Sequence, residues 1–128
     1  MERIFRNAMM AVVVLMTLGI VSCDNQEDWR LEQEIVGAWN WYYEDRELYE
    51  EVIYNFTPDG KWVYMYIYED VRGRYNSEVD AGSYSIVMGQ LNMFPSFYGD
   101  TYRYDIDIHG NRMYLWDDKY EIELRRIR

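Results

Sequence analysis

From residue 35 to the end of the chain, apolar and polar residues alternate with a period of two, which is typical of β-strands. Residues 28–34 lack this alternation and predict one or two helical turns, with Asp28 as the N-cap. The predicted strands are 36–43, 51–57, 61–69, 79–87, 90–94, 101–109, 112–116 and 120–127, with loops at 44–46, 70–77 and 95–100.

Two turns set the expected strand register. Thr-Pro-Asp-Gly at 57–60 suits a type I turn followed by a left-handed glycine, and Gly110-Asn111 suits a two-residue type I′ turn. Hairpins between neighbouring strands favour an up-and-down barrel over a sandwich, because closure removes exposed edges. The sequence therefore predicts an all-β fold, an eight-stranded antiparallel up-and-down barrel with a short N-terminal helix. The predicted cross-strand pairs are Phe56–Trp62, Tyr54–Tyr64, Ile108–Met113 and Ile106–Leu115.

The hairpin over 51–69 has two unequal faces. Its aromatic face is expected to line the barrel, although a register inverted by one residue would exchange the two faces. The other face is unusually apolar for a solvent face. It is expected either to bind a partner or to lie under the N-terminal helix, with Trp29 and Leu31 as contacts. The aromatic face holds Val52, Tyr54, Phe56, Trp62, Tyr64, Tyr66 and Tyr68, and the apolar face holds Ile53, Asn55, Val63, Met65 and Ile67.

The N-terminal segment has the pattern of an export signal. Arg3 and Arg6 precede an uncharged stretch over residues 8–21, which is shorter than the roughly 20 residues of a spanning helix. The run Ile-Val-Ser-Cys at 20–23 resembles a bacterial lipobox, in which the cysteine is lipidated and becomes the new N-terminus. An uncleaved signal anchor or a buried helix is the alternative. The lipobox resemblance implies a signal peptide over 1–22 and a lipidated N-terminus at Cys23. Together with the helix and strand patterns, it predicts a lipidated tether and short helix over 23–34 and a barrel domain over 35–128.

The expected location is the cell envelope of a Gram-negative bacterium, anchored by lipid to the outer membrane. The acidic residues of 24–28 resemble a surface-export signal of some Gram-negative lineages, and a plain solvated tether accounts for them equally well. The chain has a net charge of -10; residues 1–22 hold two basic residues and one acidic residue, so the remainder has 11 and 22, a net charge of -11. This charge argues against nucleic acid and against electrostatic adhesion to anionic lipid.

Four motifs in the barrel region resemble the lipocalin-like domains of bacterial lipoproteins, which are small calycin-type β-barrels. In order they are Gly-Ala-Trp at 37–39, Phe-Thr-Pro-Asp-Gly-Lys-Trp at 56–62, Gly-Ser-Tyr-Ser-Ile at 82–86 and Arg126-Ile127. The resemblance covers about residues 35–127. It implies that Trp39 packs against Arg126 and closes the base of the barrel, a cation–π contact worth roughly 0.5–2 kcal/mol. The chain is shorter than secreted lipocalins and has little loop length for a lid.

An eight-stranded barrel is just wide enough to be filled by side chains or to hold one small ligand. An aromatic lining would suit a flat or amphipathic ligand with a few polar groups. The alternative is that these rings pack as core and that their hydroxyls reach the barrel mouth. The expected ligand-binding residues are Trp41, Tyr54, Tyr64, Tyr66, Tyr84 and Tyr104, with Tyr102 on the same inward face.

The sequence offers little for catalysis or metal binding. Asp105, Asp107 and His109 alternate on one strand face and have metal-ligating groups, but this face is predicted to point outward to solvent. No nucleophile elbow, phosphate loop, paired cysteine or His-Glu-x-x-His motif occurs. We therefore expect no enzyme activity, no cofactor and no metal site.

The sequence thus predicts a non-enzymatic, lipid-anchored envelope lipoprotein whose lipocalin-like barrel binds a small apolar or aromatic ligand. The alternative is a structural or interaction lipoprotein, an envelope-complex subunit or inhibitor with a filled barrel and no ligand. The expected partners are the membrane through the lipid anchor, a small hydrophobic ligand and, for the alternative, an envelope protein.

Overall fold

The structure, a computed structural model, describes residues 19–97 and 99–127, and it describes side chains from Gln26 onward. Most of the predicted signal peptide and the side chain of Cys23 therefore lie outside the described residues. One helix precedes eight strands. The elements are α1 (Gly19–Glu34), β1 (Gly37–Glu44), β2 (Leu48–Phe56), β3 (Lys61–Asp70), β4 (Tyr75–Val87), β5 (Gln90–Pro95), β6 (Tyr102–His109), β7 (Arg112–Trp116) and β8 (Glu121–Arg126).

The eight strands form a closed antiparallel barrel in which each strand pairs with its neighbour in sequence. The barrel closes between β1 and β8, where Trp39 lies opposite Arg126 and Asn40 lies opposite Arg125. The all-β, up-and-down fold predicted from the sequence is confirmed. The four predicted cross-strand pairs are also present, two between β2 and β3 and two between β6 and β7.

The core follows the alternation of the strands. On β2 and β3 the aromatic face points inward, and Phe56 and Trp62 are each 1 % exposed. The opposite face points outward, where Val63 is 40 % exposed and Met65 is 37 % exposed. The register is therefore not inverted, and the hydrophobic effect places the larger apolar area inside.

Five strands extend beyond their predicted bounds: β1, β3 and β5 by one residue, β2 by three and β4 by four. The predicted loop over 70–77 is wrong, because β4 begins at Tyr75 and only a short turn separates it from β3. The Asp70 carboxylate stabilises this turn, accepting hydrogen bonds from the backbone N–H of Arg72 at 2.9 Å and of Arg74 at 3.1 Å. Likewise β2 begins at Leu48, three residues before the predicted start. The first four residues of β4 are exposed and carry no apolar alternation, because they extend past the core.

The helix differs from the prediction in its start and in its packing. Asp28 is not the N-cap, because α1 begins at Gly19. The helix also does not cover the outer apolar face of β2 and β3: it packs mainly against β4 and β6. Leu31 of the helix and Ile35, the residue that follows it, are fully buried in the barrel core, whereas Trp29 is 63 % exposed.

Within residues 19–97 and 99–127, no helix combines the length and the hydrophobicity that crossing a membrane requires.

Candidate functional site

The two ends of the barrel differ in how they are closed. Alternate turns of an up-and-down barrel lie at the same end, so the β2–β3, β4–β5 and β6–β7 turns share the end where β1 begins. The Asp28 carboxylate of α1 accepts hydrogen bonds from the backbone N–H of Met88 at 2.8 Å and of Gly89 at 2.9 Å in the β4–β5 turn. Arg30 of α1 donates to the carbonyl of Ile108 at 3.3 Å. We call this the closed end, and the opposite end the open end.

Trp39 and Arg126 form the centre of the closed end. The guanidinium carbon of Arg126 lies 4.2 Å from the ring centroid of Trp39. The same guanidinium donates to the carbonyl of Val36 at 3.0 Å and to the carbonyl of Glu34 at 2.8 Å. The indole N–H of Trp39 donates to the carbonyl of Ile35 at 2.8 Å. These contacts join the last turn of α1 to the first and last strands.

A cavity of about 590 Å³ occupies the open end of the barrel. Its volume lies within the range of roughly 300–1,000 Å³ that is typical of ligand pockets. Trp62 and Met93, each 1 % exposed, lie deepest, whereas Val79 and Phe97, 67 % and 86 % exposed, lie at the rim. Its remaining lining residues are five tyrosines and two acids: Tyr54, Tyr64, Tyr102, Tyr104, Tyr120, Glu78 and Asp80.

The hydroxyls of the five cavity tyrosines have no hydrogen-bond partner among the described residues. Some tyrosines elsewhere in the barrel do have partners: Tyr66 donates to Glu50, and Tyr84 donates to the carbonyl of Thr57 at 2.8 Å. Every fully enclosed side-chain nitrogen or oxygen in the described part of the chain has a partner. The hydroxyl of Tyr54, a residue only 8 % exposed, is therefore reached from the cavity alone.

Burial raises the pKa of four cavity tyrosines, Tyr54, Tyr64, Tyr104 and Tyr120. It raises the pKa of Tyr54 and, to about 12, the pKa of Tyr104, with smaller contributions from neighbouring tyrosines. Burial first, and then the charge of Glu78, raises the pKa of Tyr64. Each of these four hydroxyls therefore offers both a donor and an acceptor at neutral pH.

Carboxylates share the inward face with these tyrosines. Residues directly opposite each other on paired strands point to the same side of a sheet. Asp80 lies opposite Tyr64, and Glu78 lies opposite Tyr66, so both acids point toward the barrel interior. Glu50, also on this face, accepts the hydroxyl of Tyr66. No lysine or arginine is among the described residues that line the cavity.

The structure places the six predicted ligand-binding residues in two groups. Tyr54, Tyr64 and Tyr104 line the cavity. Trp41 and Tyr66 point inward but lie outside the lining. Tyr84 also lies outside it, because its hydroxyl reaches Thr57 at the closed end. Ligand binding by any of the six stays a prediction.

Sequence reasoning missed Tyr120, Glu78 and Asp80 as site residues. The alternation of the strands indicated the inward face for each of them. Tyr120 lies two residues before the inward Ile122, and Glu78 and Asp80 lie four and two residues before the inward Gly82. The charge of the two acids favoured an outward assignment. Their position near a strand end, beyond the tightly packed core, lets them point inward.

The row Asp105, Asp107 and His109 lies on the outer face of β6, opposite to the fully buried Ile106 and Ile108. The predicted exposure to solvent is wrong for Asp107, which is only 9 % exposed. Nε2 of His109 lies 3.0 Å from Oδ2 of Asp107. Across residues 19–97 and 99–127, no group of three or more His, Cys, Asp or Glu residues is arranged to hold a metal ion.

No protein-family model matches the chain, and no curated protein matches it in sequence. The structure itself defines the class: a closed eight-stranded antiparallel barrel, with one helix across one end and a tyrosine-lined cavity at the other.

Proposed function

We propose that this protein is a non-enzymatic, lipid-anchored envelope protein whose lipocalin-like barrel binds a small amphipathic ligand at its open end. The observation that carries this proposal is the cavity of about 590 Å³, lined by five tyrosines whose hydroxyls have no partner among the described residues. A barrel filled by its own side chains would have enclosed the hydroxyl of Tyr54, which is only 8 % exposed, and would have given it an internal partner, because buried polar groups without a partner are costly. A ligand with an apolar body and a few polar groups would satisfy them instead.

Native mass spectrometry of the protein purified from its own envelope tests ligand binding. We expect a small molecule to co-purify and to be reduced in Tyr54→Phe, which removes one cavity hydroxyl and nothing else. Tyr75→Phe is the matched control, because Tyr75 is 64 % exposed and lies outside the cavity lining. Absence of any bound molecule, together with no binding of the neutral apolar probe N-phenyl-1-naphthylamine, would overturn the proposal.

Resemblance to the lipocalin-like domains is supported by motifs and contacts together. The chain has the Gly-x-Trp motif at 37–39 at the start of β1, and Trp39 of that motif contacts Arg126 near the C-terminus. This is the contact that the resemblance implied. It joins the first and last strands, which a barrel of this kind needs to close.

The anchoring part of the proposal rests on the sequence. The basic residues Arg3 and Arg6, the uncharged stretch over 8–21 and the lipobox-like run that ends at Cys23 support signal cleavage, lipidation and attachment to the outer membrane of a Gram-negative envelope. In cells fed labelled palmitate, we expect the parent protein to be labelled and Cys23→Ser to remain an unlabelled precursor. Labelling that persists in Cys23→Ser would contradict lipidation at this residue.

An outer apolar patch favours a second function, that of an interaction protein in an envelope complex. Ile53, Met65 and Val79 lie opposite one another on β2, β3 and β4, and Val79 is 67 % exposed. A photo-crosslinking amino acid at position 65 should then capture one defined envelope protein in living cells, and the same amino acid at Arg103 on β6 should not. No crosslink at position 65 would leave the patch without a partner and contradict this second function.

A further inference from the structure

The charges inside the cavity restrict the chemistry of its ligand. Glu78 has no hydrogen-bond or ion-pair partner among the described residues, although it is one of the lining residues. Asp80, also in the lining, accepts a hydrogen bond from the backbone N–H of Ala81 at 2.8 Å but has no cationic partner within the described part of the chain. Glu78 is exposed and Asp80 is half-buried, so two negative charges border the cavity without a cationic partner among the described residues.

Some carboxylates elsewhere in the described structure do have cationic partners. Asp70 pairs with Arg74 at 2.7 Å in the β3–β4 turn, and Glu27 pairs with Arg30 at 2.9 Å on α1. Within residues 19–97 and 99–127, no arginine is among the residues that line the cavity.

The tyrosines supply a second and independent feature. Tyr54 and Tyr64 have ring centroids 5.1 Å apart, and Tyr104 and Tyr120 have ring centroids 6.1 Å apart, so the walls consist of neighbouring aromatic rings. The face of an aromatic ring attracts a cation, most strongly where water is excluded. The hydroxyl of Tyr54, which is only 8 % exposed and unpartnered, offers a lone pair to an ammonium N–H from within the cavity.

Other ligand charges fit this lining poorly. An anionic ligand would approach Glu78 and Asp80 with no lysine or arginine among the lining residues to offset the repulsion. A neutral ligand would displace water from the two carboxylates and would offer no charge to compensate for the lost hydration. A cation compensates both charges and is also attracted by the net charge of -10 of the whole chain.

We propose that the ligand of the open-end cavity is an organic cation: a small molecule with an aromatic or apolar body and an ammonium-type head group. This inference rests on the proposed function, in which the cavity binds a small molecule. The apolar body lies against the rings of Tyr54 and Tyr64, and the head group lies near Glu78 and Asp80.

Three probes that share one naphthyl body test the charge preference. They are the cation 2-(1-naphthyl)ethylamine, the neutral alcohol 2-(1-naphthyl)ethanol and the anion 1-naphthaleneacetate, a carboxylate. Isothermal titration calorimetry of the full chain in a non-ionic maltoside at pH 7, with empty micelles as the blank, gives the three affinities. We expect the amine to bind at least about tenfold more tightly than the alcohol, from cation–π and ion-pair contributions together. The acetate should bind most weakly.

Matched variants locate the source of the preference. Glu78→Gln with Asp80→Asn should weaken amine binding at least about fivefold and leave alcohol binding unchanged, which also shows that the variant is folded. Glu69→Gln with Glu121→Gln removes the same charge from two exposed outward positions and should leave the amine affinity within about twofold of the parent.

The outcomes separate this inference from the proposed function. Equal affinity for the amine and the alcohol would overturn the cation preference and leave the binding function standing. Absence of binding by all three probes would overturn both. Equal loss of amine affinity in the inner and outer double variants would show that the overall charge acts instead of the cavity, and this too would overturn the inference.

Discussion

Replacing Arg126 tests the closure of the barrel most directly. Its guanidinium lies over Trp39 and donates to the carbonyls of Glu34 and Val36, so one side chain connects α1, β1 and β8. Arg126→Met keeps a side chain of similar length over the indole ring but removes the charge and all the donors. Arg126→Lys keeps the charge and loses the planar fork that reaches two carbonyls at once.

The expected loss follows from these contacts. A hydrogen bond from a charged donor contributes roughly 1.5–3 kcal/mol, and the cation–π contact contributes roughly 0.5–2 kcal/mol. Because Arg126 is partly exposed and the methionine sulfur regains some contact with the ring, we expect a total loss of about 2–4 kcal/mol for Arg126→Met. Arg126→Lys, which keeps one donor near the same carbonyls, should lose about 1–2 kcal/mol.

Urea unfolding monitored by tryptophan fluorescence measures the loss, because Trp39 and Trp62 are almost fully buried and report on the core. With a slope of about 1.5 kcal/mol per M, Arg126→Met should lower the midpoint by about 1.3–2.7 M. Arg125→Met is the matched control. Arg125 is the preceding residue on β8, is exposed, and forms only a 3.7 Å ion pair with Glu123. Its loss should stay below about 0.5 kcal/mol.

Two results would refute this account of the closed end. The first is a midpoint for Arg126→Met within about 0.3 M of the parent, less than a quarter of the smallest shift expected from the urea slope. The second is an equal loss in Arg125→Met, which would show that the effect comes from the positive charge of β8 and not from the contacts of Arg126.

Three further predictions follow from the packing. Gly82→Ala should lower the free energy of unfolding by about 3 kcal/mol or more, since an added Cβ would lie 2.0 Å from a backbone oxygen of β5. Gly110→Ala, in open space at a φ of +60°, should lower it by about 1 kcal/mol. Equal urea midpoints for the two variants would contradict the steric account. Asp28→Ala should lower the free energy of unfolding by about 1–2 kcal/mol and speed amide hydrogen exchange in α1, because two hydrogen bonds to the β4–β5 turn are lost. Glu32→Ala, at an exposed position of the same helix, should change both little. Similar exchange rates in the two variants would contradict this account. Stability should fall as pH rises above about 10, because burial raises the folded-state pKa of Tyr54 and the unfolded chain loses its proton first. Tyr54→Phe should reduce this fall, and a parent midpoint that is constant between about pH 9 and 11.5 would refute the mechanism.

The fold could be predicted because its determinants are local. The turn residues at 57–60 place Phe56 opposite Trp62, and alternation from that pair assigns every residue of β2 and β3 to a face. Strand ends could not be predicted in the same way. Residues 75–78 of β4 are exposed, so they lack apolar alternation and are held by backbone pairing with β3.

The site was less predictable because strand alternation gives the face to which a residue points but not its height along the barrel axis. Tyr54, Tyr66 and Tyr84 all point inward, yet only Tyr54 lines the cavity. Which tyrosine reaches the open end depends on the stagger of the strands. The hydrogen-bond partner of Asp28 could not be predicted either, because it lies in a turn about sixty residues further along the chain. Helix-capping patterns describe only neighbouring residues.

The position of α1 determines the direction from which a ligand arrives. The helix that seals the barrel also contains Cys23, five residues or roughly 7–8 Å of helix before Asp28 at the closed end. In the proposed lipoprotein the acyl chains therefore leave from the sealed side, and the cavity opens toward the aqueous compartment. Such a protein would sample dissolved solutes and would not extract molecules from the bilayer that holds it.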